Sequence, residues 1–211
     1  MAELDTDEEK VEAIKRWWKA NGVAVIGGVV IGLGVVIGWR SWVEYRTNLA
    51  QRGSIAFEQL LITAQAGDTA SAQKQVDGIV DDFGSTPYAM FAELTRARLA
   101  LADGDPAGAE TALRAAMDLA PDPALASLAA LRLAQVQLDR GELAAAADTV
   151  KRHGDATAFA GDFAALRGDI AAAEGRLQDA RAAYQTALDA GAGNARLIEL
   201  KLQDLPPDET S

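Results

Sequence analysis

The apolar positions of this chain follow different periods in different stretches, and each period predicts an element. Over residues 21–39 the sequence reads NGVAVIGGVVIGLGVVIGW, and no charged residue lies between Lys19 and Arg40. Between Asn21 and Trp39, Val, Ile, Leu and Ala fill the non-glycine positions, so a helix here has no polar face. About 20 such residues at 1.5 Å each cover the roughly 30 Å hydrocarbon core of a bilayer. Trp17 and Trp18 precede the run; Trp39, Trp42 and Tyr45 sit at or after its end. Those rings suit the headgroup level, where an apolar body and a polar tip are both accommodated. The run exceeds the roughly 7 to 15 apolar residues of a signal-peptide core, and no A-x-A-like cleavage site follows promptly. The pattern predicts one uncleaved transmembrane helix.

On the N-terminal side, Val11, Ile14 and Trp18 recur at helical spacing from about Lys10. This segment is either a helix lying on the membrane surface or an extension of the span. Residues 1–9 are acidic and featureless, and are expected to be disordered. On the other side, residues 41–66 contain no proline and place Trp42, Tyr45, Leu49, Phe57, Leu60 and Leu61 at helical spacing. They predict a long stalk helix with a soft point at Gly53.

Beyond the stalk the pattern repeats. Gly141 and Gly175 are 34 residues apart, and Gly104 precedes Gly141 by 37. Each is followed at +5 by alanine (Ala109, Ala146, Ala180) and at +9 by a large residue (Leu113, Val150, Tyr184). At +12 stand Ala116, His153 and Ala187, and seven residues before each glycine is a small residue: Ala97, Ala134 and Gly168. A period near 34 with small residues at helix crossings and glycine in the turn is the tetratricopeptide signature. Small residues let two antiparallel helices touch, and the large residue fills the space toward the next pair. The best copy is GDPAGAETALRAAMDLAPDP, residues 104–123, in which Asp105 caps and Pro106 starts a helix, as Asp122 and Pro123 do for the next. Thr86 and Pro87 read as the cap and start of a helix reaching Ala102. The second copy breaks down at Lys151-Arg152-His153-Gly154, bridging through DATAF, and a weaker early copy surrounds Gly67 with Ala72 and Val76.

The expectation is an all-α chain: a single N-terminal transmembrane helix followed by a tetratricopeptide-like α-solenoid of about three to four helix pairs. Its parts are an N-terminal tail (1–20), the span (21–40), the stalk (41–66), the repeat domain (67–204, closed by a capping helix over 195–203) and a C-terminal tail (205–211).

Charge narrows the partners. The chain has 31 acidic and 20 basic residues and a formal net charge of −11. A domain of that sign repels phosphate backbones, which excludes nucleic acid as a partner. There is no cysteine, which removes structural disulfides and thiolate chemistry. The single histidine, His153, follows Lys151 and Arg152 and reads as a polar residue at a helix C-terminus rather than a catalytic one. No phosphate-binding loop, nucleophile–base pair or metal-ligand spacing is present, so neither an enzyme nor a cofactor is expected. Lys10, Lys15, Arg16 and Lys19 before the span outnumber Arg40, Arg46 and Arg52 after it, a small bias toward a cytoplasmic N-terminus.

What remains is binding. On the repeat alignment the first helices would turn Phe91, Leu94, Arg98, Leu101, Leu128, Leu131, Gln135 and Leu138 toward a groove suited to extended or unfolded polypeptide, unless some of them pack on a neighbouring helix. In the span, Gly28-x-x-x-Gly32 and Gly34-x-x-x-Gly38 each set two glycines one turn apart. They form docking faces for another membrane helix, or reflect only the frequency of glycine in such helices.

The segments DEEKVEAIKRWWKANG and VVIGLGVVIGWRSW, with LRLAQVQLDRGELAAAADTV and LRGDIAAAEGRLQDARAAYQTAL behind them, resemble the ancillary SecYEG translocon subunit family over nearly the whole chain. The resemblance implies a bacterial inner-membrane protein, single-pass, with its C-terminal domain in the periplasm. It implies contact with the SecYEG translocon and with a membrane-anchored periplasmic chaperone of the peptidyl-prolyl isomerase type. It also implies a supporting role as translocated periplasmic and outer-membrane proteins emerge. It brings no catalytic residues. The alternative is a non-chaperone scaffold or assembly factor of another envelope complex, whose groove holds one folded partner.

Overall fold

The computed structural model describes residues 7–154 and 157–206. The expected N-terminal tail over residues 1–6, Asp155 and Ala156 of the bridge, and the expected tail over 207–211 lie outside the described residues. The described chain is helical, without strands. It divides into a unit ending at Asn48 and a second unit starting at Leu49.

The first unit is the N-terminal part of α1, a helix that runs Asp7–Gln65. No proline occurs before Pro87, so nothing in the covalent chain interrupts it. The alternative of a separate surface helix from Lys10 gives way to continuity: that segment and the apolar run are one helix. Its apolar side chains are exposed all round, Val23 at 88% and Ile31 at 69%, and α1 is long and apolar enough to cross a membrane. The aromatic residues pair at the two ends of the run. Trp17 and Trp18 stand 6.4 Å apart, and Trp39 and Trp42 5.4 Å apart, with the Arg46 guanidinium 5.2 Å from the Trp42 ring. That placement adds a cation–π contact beside the aromatic pair.

The second unit begins with the last turns of α1 and continues through α2 (Thr69–Phe83), α3 (Pro87–Ala102), α4 (Pro106–Asp118), α5 (Pro123–Asp139) and α6 (Leu143–His153). A single 3-10 turn (Thr157–Phe159) leads into α7 (Ala160–Ala173), α8 (Leu177–Asp189) and α9 (Ala195–Asp204). Gly53 does not soften α1. The helix passes through it, and a Cβ there would meet Tyr88 at 3.1 Å and Thr86 at 3.3 Å, so the glycine admits the start of α3 instead.

The glycines of the repeat set the turns. Gly104 has φ +75°, a conformation other residues reach only at a cost, and its N–H donates to the Leu101 carbonyl at 3.1 Å while Asp105 N–H donates to Ala100 at 2.8 Å. Gly141 repeats this with Leu138 and, through Glu142 N–H, Gln137, each at 2.8 Å. The first turns of α4 and α5 are capped by aspartates, whereas α6 after Gly141 has no side-chain cap bond. Asp105 accepts from Gly108 N–H at 2.9 Å, and Asp122 from Leu125 N–H at 2.9 Å, with Pro106 and Pro123 as first helical residues. Thr86 stands at the N-cap of α3 before Pro87, as expected, but makes no side-chain cap bond: its hydroxyl donates back to the Phe83 carbonyl at 2.8 Å.

The predicted crossing positions are all buried: Ala97, Ala109 and Leu113 in one cluster, Ala134, Ala146 and Val150 in the next. In the third copy Tyr184 replaces the smaller residue at +9, and Gly168 makes room for it, since a Cβ at Gly168 would overlap the ring. Each cluster also takes residues from the helix that follows, Leu133 and Val136 of α5 in the first and Phe163, Leu166 and Ile170 of α7 in the second. The core therefore continues from one copy to the next, as stacked repeats require. Glu110 ties α4 to the α5 turn: its carboxylate accepts from Arg140 at 2.5 Å and from Arg114 at 3.3 Å.

Candidate functional site

The first helices of successive copies leave a groove between them. Between α3 and α5 lies a cavity of about 500 Å³, walled by Leu94, Arg98 and Leu101 of α3 and Leu128, Arg132, Gln135 and Asp139 of α5. A second, of about 410 Å³, lies between α5, α7 and α9 and shares Leu128, Arg132 and Gln135 with the first. The two meet along α5.

Five of the residues expected at the groove line the first cavity: Leu94, Arg98, Leu101, Leu128 and Gln135. Leu131 lines the second but is 5% exposed and belongs to the α5–α6–α7 core. Leu138 packs against that same core. Phe91 stands among rings, 5.9 Å from Phe57 of α1 and 6.4 Å from Tyr88. The physical reason is one helical step. Positions 128 and 135 belong to both sets; 132 and 139 complete the cavity wall beside them, while 131 and 138 lie part of a turn away on the core side. Choosing apolar residues favours the core-facing stripe, because apolar side chains are what a core buries. Arg132 and Asp139 were missed for that reason, although their spacing of four from Leu128 and Gln135 carries the signal.

The two ends of the groove differ electrostatically. At the α7–α9 end, the Asp169 carboxylate accepts from Lys201 Nζ at 2.6 Å and from the Tyr184 hydroxyl at 2.7 Å. Burial, with that bond to Asp169, pushes the Tyr184 hydroxyl well above its ordinary pKa. Asp162 accepts from Gly193 N–H at 3.2 Å. At the α3–α5 end, Arg132 donates to Gln135 at 3.0 Å.

His153 closes α6 beside Lys151 and Arg152; burial and the Arg152 charge lower its pKa. Among the described residues no three His, Cys, Asp or Glu side chains converge on a point that could hold a metal ion. In α1, Gly28, Gly32, Gly34 and Gly38 are exposed, and a Cβ added at any of them would meet nothing within 4 Å.

One candidate membrane-spanning helix followed by a helical-repeat domain with an open groove defines a tetratricopeptide-like protein of the membrane. The model of the tetratricopeptide repeat-like domain family matches residues 15–207. The chain is 34% identical to the ancillary SecYEG translocon subunit of Aggregatibacter actinomycetemcomitans over 97% of its own length and all of the relative's. It is 31% identical to the protein of that name from Haemophilus influenzae, over 72% of this chain and 74% of the relative. It is 27% identical to that from Escherichia coli K12, over 95% and 97%. The chain belongs to the ancillary SecYEG translocon subunit family.

Proposed function

We propose that this chain is a non-enzymatic, membrane-anchored protein-binding module that serves as an accessory subunit of the SecYEG translocon. Residues 21–40 cross the inner membrane with the N-terminus in the cytoplasm, and the repeat domain stands in the periplasm as four helix pairs closed by α9. The groove holds polypeptide as it emerges, beside a membrane-anchored chaperone of the peptidyl-prolyl isomerase type. The observation that carries this reading is the groove itself: apolar and guanidinium side chains of α3 and α5 face an open cavity on a chain whose relatives are named as translocon subunits. Anchoring raises the groove's effective concentration at the channel exit to about the millimolar range, so weak contacts suffice.

Purification of the tagged chain in mild detergent tests the assignment. The channel subunits co-purify if the reading is right, and a solitary chain contradicts it. The orientation has its own test. The chain lacks cysteine, so a single Thr210→Cys reports topology through a membrane-impermeant thiol reagent on cells with a permeabilised outer membrane. Labelling without lysis is expected; labelling only after lysis would place the domain in the cytosol.

A further inference from the structure

The cavity between α3 and α5 carries charge that the chain does not neutralise. Most arginines of the repeat domain face carboxylates: Arg96 meets Asp77 and Glu93, Arg114 and Arg140 meet Glu110, and Arg152 meets Asp148. The two arginines of this cavity, Arg98 and Arg132, are not among them. Among the described residues Arg98 makes no hydrogen bond or ion pair, and Arg132 bonds to the neutral amide of Gln135. Two guanidinium groups and one carboxylate, Asp139, thus line a cavity in a chain of net charge −11. Around them Leu94, Leu101 and Leu128 offer apolar surface, with Leu101 46% exposed. Toward α9 the corresponding acid, Asp169, is already occupied by Lys201 and Tyr184.

Resting on the reading of the groove as a polypeptide site, we propose that it selects an extended segment of another protein in which a bulky apolar residue and an acidic residue share one face. The apolar side chain sits among Leu94, Leu101 and Leu128, and the carboxylate sits with Arg98 and Arg132. In an extended strand, residues i and i+2 point the same way, roughly 6 to 7 Å apart, which matches an apolar-x-acidic spacing. Arginine holds a carboxylate through two parallel N–H donors, and a partly dry cavity strengthens that bond. The acid is an internal side chain rather than a chain's last carboxylate. Leu128, Arg132 and Gln135 border the second cavity as well, so an occupant runs on past α5 instead of ending there.

The test uses the full-length chain in mild detergent and short fluorescent peptides centred on Leu-Ser-Asp, Leu-Ser-Asn or Leu-Ser-Lys, each made with an amidated and with a free C-terminus. The Asp peptide is expected to bind about tenfold more tightly than the Asn peptide, the Lys peptide more weakly than both, with the gap narrowing as salt rises. Both arginines are exposed, so Arg98→Gln and Arg132→Gln should keep the wild-type thermal midpoint while removing the Asp advantage, so that Asp and Asn peptides bind alike. Equal binding of Asp and Asn peptides would overturn the carboxylate site and leave the polypeptide groove standing. Binding only by peptides with a free C-terminal carboxylate would overturn the internal-acid assignment. Failure of every peptide to bind would overturn the groove reading and this inference with it.

Discussion

A Cβ added at Gly168 in α7 would overlap the Tyr184 ring, whereas one added at Gly28, Gly32, Gly34 or Gly38 in α1 would meet nothing within 4 Å. The residue is the same, and the two regions use it differently. In the repeat domain the missing side chain is part of this chain's own packing, as at Gly53 against Tyr88 and at Gly161, where an added Cβ would lie 2.5 Å from Ala192 N. In the apolar helix only Gly22 serves the chain internally, lying under the Trp18 indole at 3.2 Å. The remaining glycines there leave bare backbone that a second helix can approach. The lesson is that glycine spacing predicts a turn or a crossing only where other positions of a repeat confirm it.

The largest effect is expected where the packing is tightest. Gly168→Ala should destabilise the repeat domain by about 2 kcal/mol, the usual order for a forced overlap in a packed core. Combining it with Tyr184→Leu recreates the Ala97–Leu113 pair of the first copy. Thermal unfolding of the two single variants and the double should then show a coupling of at least about 1 kcal/mol. Additive losses would mean the glycine and the ring are not matched.

Next come the turns. Gly141→Ala keeps every buried contact but places a Cβ at φ +75°, and should cost about 1 kcal/mol by denaturant unfolding. A neutral result would show that the turn rearranges freely. In α1 the comparison reverses. Gly28→Leu with Gly32→Leu should leave the unfolding of the repeat domain within about 0.5 kcal/mol of wild type while lowering recovery of the channel in mild detergent. Unchanged recovery would reduce those glycines to composition.

The smallest effect is expected at His153. Its folded pKa lies below the ordinary 6.5, so the unfolded chain binds the proton more readily. Its contribution to stability is complete above about pH 6.5 and declines as pH falls toward the lower folded value. A His153→Gln variant should therefore show a flatter thermal midpoint between pH 7 and 5 than wild type, and identical slopes would remove His153 from the account.

Much of this was legible in the sequence because a few residues carry fixed geometry. Gly104 and Gly141 must end helices at positive φ, and Asp105-Pro106 and Asp122-Pro123 must begin them, so the repeat frame follows from their spacing. The compensation in the third copy was also visible as a pair, Gly168 with Tyr184. Contacts between distant segments were not. Gly53 reads as a soft point until Tyr88 and Thr86 are placed against it. Thr86 reads as a cap and holds that position, but the sequence does not tell that its hydroxyl donates back to Phe83. On α5, Leu128 and Gln135 line the cavity, but hydrophobicity also picks out Leu131 and Leu138, which pack on the core, and not Arg132 and Asp139 on the neighbouring face.

The central claim is that the face shared by α3 and α5 is where this chain meets other polypeptides. Site-specific photo-crosslinking in living cells tests it most directly. A photoreactive residue is placed at Leu101 or Leu128, which line the groove, or at Thr111, which lies exposed on α4 and lines neither groove cavity. The account predicts crosslinks to translocating polypeptides from positions 101 and 128 and few from 111. Strong crosslinking from 111 with none from the groove positions would contradict it.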